Sequence, residues 1–393
     1  MSSQTLLTPT IISKESLVIL ENNLVAAGKV NRQFENQFVK IGSSLTIRKP
    51  NKFKVSSGPA LQVQDVAEPS TSITISNQKH VDFQFTSQDL TLTVEEFSER
   101  YLKPAMAELA NQIDYDVLAQ FQNINNEVGT PGTVPNSFAA LAAVGQRMDE
   151  GAVPQDGRVL ILNPAAYWSM ATALSVLYVK SVAEPALKGF LASIANFEIY
   201  MDQNVQNQTV GAYAGSGTVN GAGQTGSSLV TQGWTGSING LLNVGDVFTI
   251  AGVFAINPRS RQSTGSLQNF SVTATANSSG GAATLQIYPA ITTSGPYQTV
   301  SGSPANGAAI TVKGTASTGY AQNLGFVRDA IGLVTVPMEL PGGVDFAARE
   351  TYKNISLRVI RAYDINNDVF PCRIDVLYGV ATYYPELGCR LTN

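Results

Sequence analysis

Apolar residues from position 93 to 122 (TVEEFSERYLKPAMAELANQIDYDVLAQFQ) recur with a helical period. Phe97, Tyr101, Ala105, Leu109, Ile113, Val117 and Phe121 fall every four residues, and Leu102, Met106, Ala110 and Leu118 widen the stripe. That spacing predicts one long helix of roughly 40 Å at about 1.5 Å per residue. Thr93 and Glu96 read as a capping box, and Glu95, Glu96 and Glu99 put negative charge where the helix dipole favours it. Pro104, inside the stripe, predicts a kink or a missing backbone hydrogen bond. A shorter helix is predicted over residues 13–27, with Ser13 as N-cap, Ile12 and Leu17 as a hydrophobic staple and Gly28 as C-cap. Its apolar residues nearly encircle it. It must therefore pack either on a neighbouring chain or on a distant part of its own.

Between residues 41 and 94 the period switches to two. Leu45 and Ile47, Phe53 and Val55, Ile73 and Ile75, then Val81, Phe83 and Phe85, then Leu90, Leu92 and Val94 alternate with polar residues. These predict strands, broken at Lys49-Pro50-Asn51 and Ser57-Gly58-Pro59. Residues 29–54 hold seven bases (Lys29, Arg32, Lys40, Arg48, Lys49, Lys52, Lys54) and one acid, Glu35. A basic hairpin of this kind is not expected to fold alone. A linker at 129–135 leads into an α/β pattern. It comprises a helix at 138–148, a buried strand at 158–163, a helix at 164–178 with Asn163 as N-cap and Pro164 first, and a strand at 197–201. From 203 to 322 only Asp246, Arg259, Arg261 and Lys313 are charged, while Gly, Ser, Thr and Asn dominate. Short strands are predicted there at 247–250, 270–274, 284–288 and 309–312. They read as an all-β insertion, a small barrel or sandwich placed in an exposed loop. The α/β pattern resumes at residue 323 and ends in long strands at 355–363 and 373–384.

With 393 residues, 44% of them apolar, the chain is long enough for two or three domains with real cores. Only 14% of residues are charged, with a net charge of −4, so much of the surface must be uncharged polar or covered by other subunits. No apolar run reaches the length of a membrane span, and residues 1–15 lack a secretory pattern, so a cytoplasmic site of synthesis is expected. Cys372 and Cys389 make neither a disulfide framework nor a zinc site, and free thiols are expected. His80 is the one histidine, so no Ser-His or Cys-His pair can form. Residues 221–226 (GAGQTG) match G-x-G-x-x-G but lack a preceding strand and a following helix. Asp364, Asn366, Asp368 and Asp375 imitate a calcium loop, yet Val369 stands where glycine is required, and a polar hairpin turn is the better reading. Asp114 and Asp116 point apart on a helix and cannot share acid–base work. The sequons at Asn207, Asn269, Asn277 and Asn354 are incidental without secretion. No catalytic residue, cofactor or metal ligand is expected. The basic hairpin lacks interleaved aromatic residues, which favours an acidic protein surface over nucleic acid as its partner.

Several stretches resemble the major capsid proteins of tailed bacteriophages. Residues 158–168 (RVLILNPAAYW) resemble their central strand–helix unit. Residues 323–337 (NLGFVRDAIGLVTVP), 358–368 (RVIRAYDINND), 373–380 (RIDVLYGV) and 385–387 (PEL) are similar to coat proteins of the podovirus group infecting Salmonella and its relatives. Residues 244–253 (VGDVFTIAGV) resemble that group's inserted domain. The resemblance implies an α+β fold of the Hong Kong 97 type. Its parts would be an N-arm (1–35), an E-loop with P-domain strands (36–92), a P-domain spine helix (93–130), an A domain (131–202, returning at 323–350), the inserted β domain (203–322) and C-terminal strands of both domains (351–393). It implies a shell of pentamers and hexamers enclosing double-stranded DNA, with scaffolding and portal partners, no membrane and a virion location. A secreted surface-layer or adhesin-type structural protein is the alternative, and an α/β enzyme a more remote one. The expected contact between subunits pairs Arg48, Lys49, Lys52 and Lys54 with Glu95, Glu96 and Glu99 of a neighbour. The arm and hairpin are expected to stay mobile until assembly.

Overall fold

The computed structural model describes residues 9–33, 44–55, 58–59, 61–64, 68–86, 101–174, 195–344, 346–352, 355–367 and 369–393. The chain begins with α1 (Pro9–Asn23), β1 (Ser44–Arg48), β2 (Ser70–Thr74), β3 (Asn77–Thr86) and α2 (Lys103–Leu118). β4 (Glu127–Gly129), α3 (Phe138–Glu150), β5 (Arg158–Leu162), α4 (Pro164–Leu174) and β6 (Phe197–Met201) follow. Next come β7 (Asn207–Thr209), β8 (Gly215–Val219), β9 (Gly226–Trp234), β10 (Val247–Ile256), β11 (Ser263–Ala274), β12 (Ala283–Ile291) and β13 (Ile310–Val312). The last strands are β14 (Gly319–Val327), β15 (Ile331–Thr335), β16 (Phe346–Tyr352), β17 (Ile355–Arg361), β18 (Val369–Thr382) and β19 (Gly388–Thr392). These elements form a mixed α+β protein of two units.

The first unit comprises residues 1–47, 70–117 and 331–383. Its sheet runs β15–β18–β17–β16, and β3 pairs antiparallel with β18 from Val369↔Thr86 to Tyr378↔Asn77. The apolar stripe of α2 is buried at Met106, Leu109, Ala110, Ile113 and Val117, as its period requires, and Leu102 just before it is buried too. The upstream part of the expected helix, with Thr93, Glu95, Glu96 and Glu99, lies outside the described residues. Pro104 closely follows a wide π turn at Tyr101–Leu102 that leads into α2. A π turn beside the proline is the local widening expected where a backbone N–H is missing. Asp375, wholly buried on β18, accepts bonds from Arg358 Nη2 at 2.7 Å and Arg373 Nε at 2.6 Å, so the one deep carboxylate of the sheet has two cations.

Two expectations for the N-terminal part need correction, and one open alternative is decided. The helix starts at Pro9 rather than Ser13, and Ser13 is buried inside it. The described helix already includes Pro9, so Ser13 is an interior residue and not its N-cap. The helix also stops at Asn23, five residues before Gly28. The Asp114 carboxylate of α2 takes the Val25 N–H at 2.8 Å and the Ala27 N–H at 2.7 Å, which pulls the chain out of helical geometry. Finally, α1 lies on β16 and β17 of its own chain, with Ile12, Leu17 and Leu20 buried. Between the two packing options open in the sequence, this part of the arm takes the intramolecular one.

The second unit comprises residues 48–69, 118–330 and 384–393. One sheet has the order β4–β19–β14–β5–β6, with β5–β6 and β19–β4 parallel and the central pairs antiparallel. Helices α3 and α4 cover it through Leu141, Val144, Met148, Ala166, Tyr167 and Met170. Asn163 Oδ1 accepts the Ala166 N–H at 2.9 Å, the cap expected from the Asn-Pro pair. A second sheet has the order β13–β10–β11–β12–β9–β8. Val219 at the end of β8 bonds to Ala308 and Gly307, just before β13, so the sheet's edges meet and the strands curl into a barrel. Alternation along β10 and β11 sends Phe248, Ile250, Phe270 and Val272 into its core, with Phe248 and Phe270 paired in register and stacked 5.8 Å apart. Gly217 is required on β8, because a Cβ there would sit 2.3 Å from the Trp234 ring.

Candidate interface strap and the buried polar cluster

Residues 48–55 leave β1 as an extended strap, to which residues 61–64 also belong. The strand expected at Phe53 and Val55 is not formed, and residues 51–55 are irregular. In place of a strand ladder, the Lys54 N–H bonds to Gln64 Oε1 at 2.8 Å. Most of the bases expected to face a neighbour have partners within the second unit. Arg48 Nη1 pairs with Glu68 Oε2 at 2.8 Å. Lys49 Nζ lies 5.1 Å above the Tyr384 ring, and burial lowers its pKa against the opposing pull of Glu386. Lys52 Nζ is 3.8 Å from Glu386 Oε1, and its N–H points at the Tyr297 hydroxyl at 3.4 Å. Lys54 makes no ion pair among the described residues. The end of the strap is apolar instead: Phe53 is 64% exposed, Val55 93%, Leu61 89% and Val63 83%. Charge counting on the sequence missed this. The alternation of Phe53 with Val55 and of Leu61 with Val63 was the signal available.

Behind the strap the unit is held by side chains that donate to main-chain carbonyls. Arg390 on β19 is wholly buried. Its Nε donates to Ile124 O at 2.6 Å and its Nη1 to Gly245 O at 2.7 Å, while its guanidinium lies 5.5 Å from the Phe121 ring. Glu127 is also buried, with Oε2 4.0 Å from Arg390 Nη1 and Oε1 accepting the Thr392 hydroxyl at 2.8 Å. Alternation decides what meets Glu127 from the barrel. Phe270 faces the barrel core, so the next residue along, Asn269, faces outward and donates to Glu127 O at 2.9 Å. Lys313, just past β13, donates to the same oxygen at 2.5 Å, and burial depresses its pKa despite the neighbouring Glu127. Asp246 is tied by Gln208 Nε2 and by the N–H groups of Gly211 and Asn243, each at 2.8 Å, while burial raises its pKa.

The remaining candidates take structural places. His80 Nδ1 lies 2.9 Å from Asp82 Oδ2 on a β3 edge paired to β18. Asp116 accepts the Tyr378 hydroxyl at 2.6 Å, and Asp114 is used up on the backbone of residues 25–27. Residues 221–226 form the turn between β8 and β9, with Asn306 Oδ1 accepting the Gly221 N–H at 2.8 Å. Asp364 accepts the Asn366 N–H at 3.0 Å in the turn between β17 and β18. Among the described residues no group of three acidic, histidine or cysteine side chains is placed to hold a metal. Both cysteines are buried, and desolvation pushes each thiol up to about 12. Since the thiolate is the reactive form, neither thiol is expected to react with DTNB in the native protein, and both should react in guanidinium. Fast labelling of either cysteine in the native protein is the contrary result.

The second unit thus carries exposed apolar side chains on its strap and a buried Arg390–Glu127 pair behind it, with no metal-holding cluster among the described residues. The family model described as P22 coat protein, gene protein 5, matches residues 1–393, and the chain belongs to that family. It is a phage major capsid protein, a subunit of the multimeric shell of the virion. No curated protein matches the chain. Among solved structures it is similar to one from Mycobacterium phage Che8 (TM-score 0.48, 11% identity, 94% of this chain and 90% of that one). It is also similar to the mature capsid of bacteriophage PhiM1 (TM-score 0.43, 10% identity, 94% and 86%). The CUS-3 coat protein I-domain is similar over 25% of this chain and 94% of its own, at 30% identity and a TM-score of 0.19.

Proposed function

We propose that the chain assembles as a Hong Kong 97-type subunit, with the domain layout set out above, into pentamers and hexamers around packaged DNA. Scaffolding and portal proteins act as partners, synthesis is in the host cytoplasm, and no catalysis is involved. Residues 203–322 are then an inserted domain, and residues 48–64 reach a neighbouring subunit. The observation that carries this reading is the apolar end of the strap, where Phe53, Val55, Leu61 and Val63 stand in solvent. Burying a side chain of this kind is worth about 1.5–3 kcal/mol, so a neighbour that covers all four gains far more than surface ion pairs give. Lys54 is the strap base left to meet Glu95, Glu96 or Glu99 of that neighbour, since Arg48, Lys49 and Lys52 have partners of their own.

The double variant Phe53→Asp, Leu61→Asp tests it. Neither side chain contributes to the core, so the monomer's circular dichroism and melting temperature should match the parent. Shell formation, followed by sedimentation and electron microscopy, should fall at least tenfold. Normal closed shells from this variant would refute the assignment of the strap.

A further inference from the structure

A cavity of about 550 Å³ opens within the second unit, between the strap, the barrel and the turn at residues 384–386. That volume lies inside the range of small-molecule sites, about 300–1,000 Å³. The cations on its wall are Lys49, Lys52, Arg147 and Arg261, and the acids are Glu150 and Glu386. Arg147 is matched by Glu150 at 3.3 Å and Lys52 by Glu386 at 3.8 Å. Two positive charges remain. Lys49 is half-buried, with a tyrosine ring as its near partner. Arg261 spends Nη2 on Pro296 O at 2.5 Å, which leaves its other two nitrogens for a ligand. Desolvation without a contacting carboxylate depresses the Lys49 pKa, and an anion in the cavity would relieve that strain. The rest of the wall mixes amide and hydroxyl side chains with three aromatic rings. Tyr288, Tyr297 and Tyr384 line it together with several prolines. Phosphate-binding cations beside stackable rings are the combination that holds nucleotides. The basic hairpin alone lacks such rings, and the fold supplies them from residues more than 200 positions away.

We propose that this cavity binds a nucleotide-type anion, a phosphate joined to a planar ring, presented as a free nucleotide or as the end of a nucleic acid strand. The site goes beyond the shell-building role and does not depend on it. The test is calorimetric titration of the full-length monomer with AMP, inorganic phosphate and a short thymidine oligomer. AMP should saturate with a Kd below about 1 mM, and phosphate should bind at least tenfold more weakly. Lys49→Gln and Arg261→Gln should each weaken AMP about tenfold with the melting temperature unchanged, and raised salt should weaken it further. Tyr297→Leu should weaken AMP but leave phosphate as it was. An oligomer that binds tighter than AMP identifies the strand end as the source, and equal binding identifies the free nucleotide. The proposal is overturned if AMP fails to saturate, if phosphate binds as well as AMP, or if AMP binding is unchanged in folded Lys49→Gln. Should one variant not fold, the phosphate comparison and the other variants still decide.

Discussion

Replacing Arg390 by leucine is expected to cost about 3–5 kcal/mol, among the largest single-residue losses in the protein, because it removes one partner of a fully buried pair. Glu127, 5% exposed, would lose its buried cation and keep the Thr392 hydroxyl as a close donor. The carbonyls of Ile124 and Gly245 would lose a charged donor at the same time, and orphaned buried acceptors carry their own penalty. Urea unfolding followed by fluorescence gives the number. The double variant Arg390→Leu, Glu127→Gln should recover part of the loss, since a neutral amide no longer needs a counter-charge. If the single variant loses less than about 1 kcal/mol, the guanidinium is not what holds this part of the unit together.

Deleting residues 1–28 should abolish the fold of the first unit, not merely impair assembly. The deleted segment includes Ile12, Leu17, Leu20, Ala26 and Ala27, all buried against the same chain. At about 1.5–3 kcal/mol for each large apolar side chain, the lost burial alone approaches the whole stability of a typical domain, about 5–15 kcal/mol. Asp114, buried, would also lose the two backbone donors of Val25 and Ala27. The truncated chain should appear in inclusion bodies or, if soluble, show no cooperative unfolding of this unit. The milder change Asp114→Ala should keep the fold but lower stability by about 3 kcal/mol, since hydrogen bonds to a charged acceptor are worth about 1.5–3 kcal/mol each. A soluble truncation with native unfolding behaviour would show that residues 9–28 are dispensable to the monomer.

Features that rest on near neighbours in the chain were legible from the sequence. The four-residue stripe gave α2 its buried face because helix geometry places those residues on one side without reference to anything else. The Asn163-Pro164 pair marked the start of α4, since cap and first turn lie within three residues of each other. Turn signals between short apolar runs located β10 to β13, and alternation along β11 dictated that Asn269 and Phe270 face opposite ways. Other features were decided by groups that meet only in the folded chain. Ser13 has the chemistry of a cap, yet it lies inside the helix, and Asp114, some ninety residues away, takes the N–H groups that follow its end. The bases of the hairpin looked free for a neighbour until the fold set Tyr384 and Glu386 beside them. Arg390 reads as one more arginine near the end of the chain. Its place at the centre of the second unit depends on β19 lying between β4 and β14, with Ile124, Gly245 and Glu127 closing around it. Local periodicity encodes which face of an element is apolar. Which polar group ends up without water is set by the elements packed against it, and a buried charge makes the difference because desolvation forces it to find a partner wherever the fold provides one.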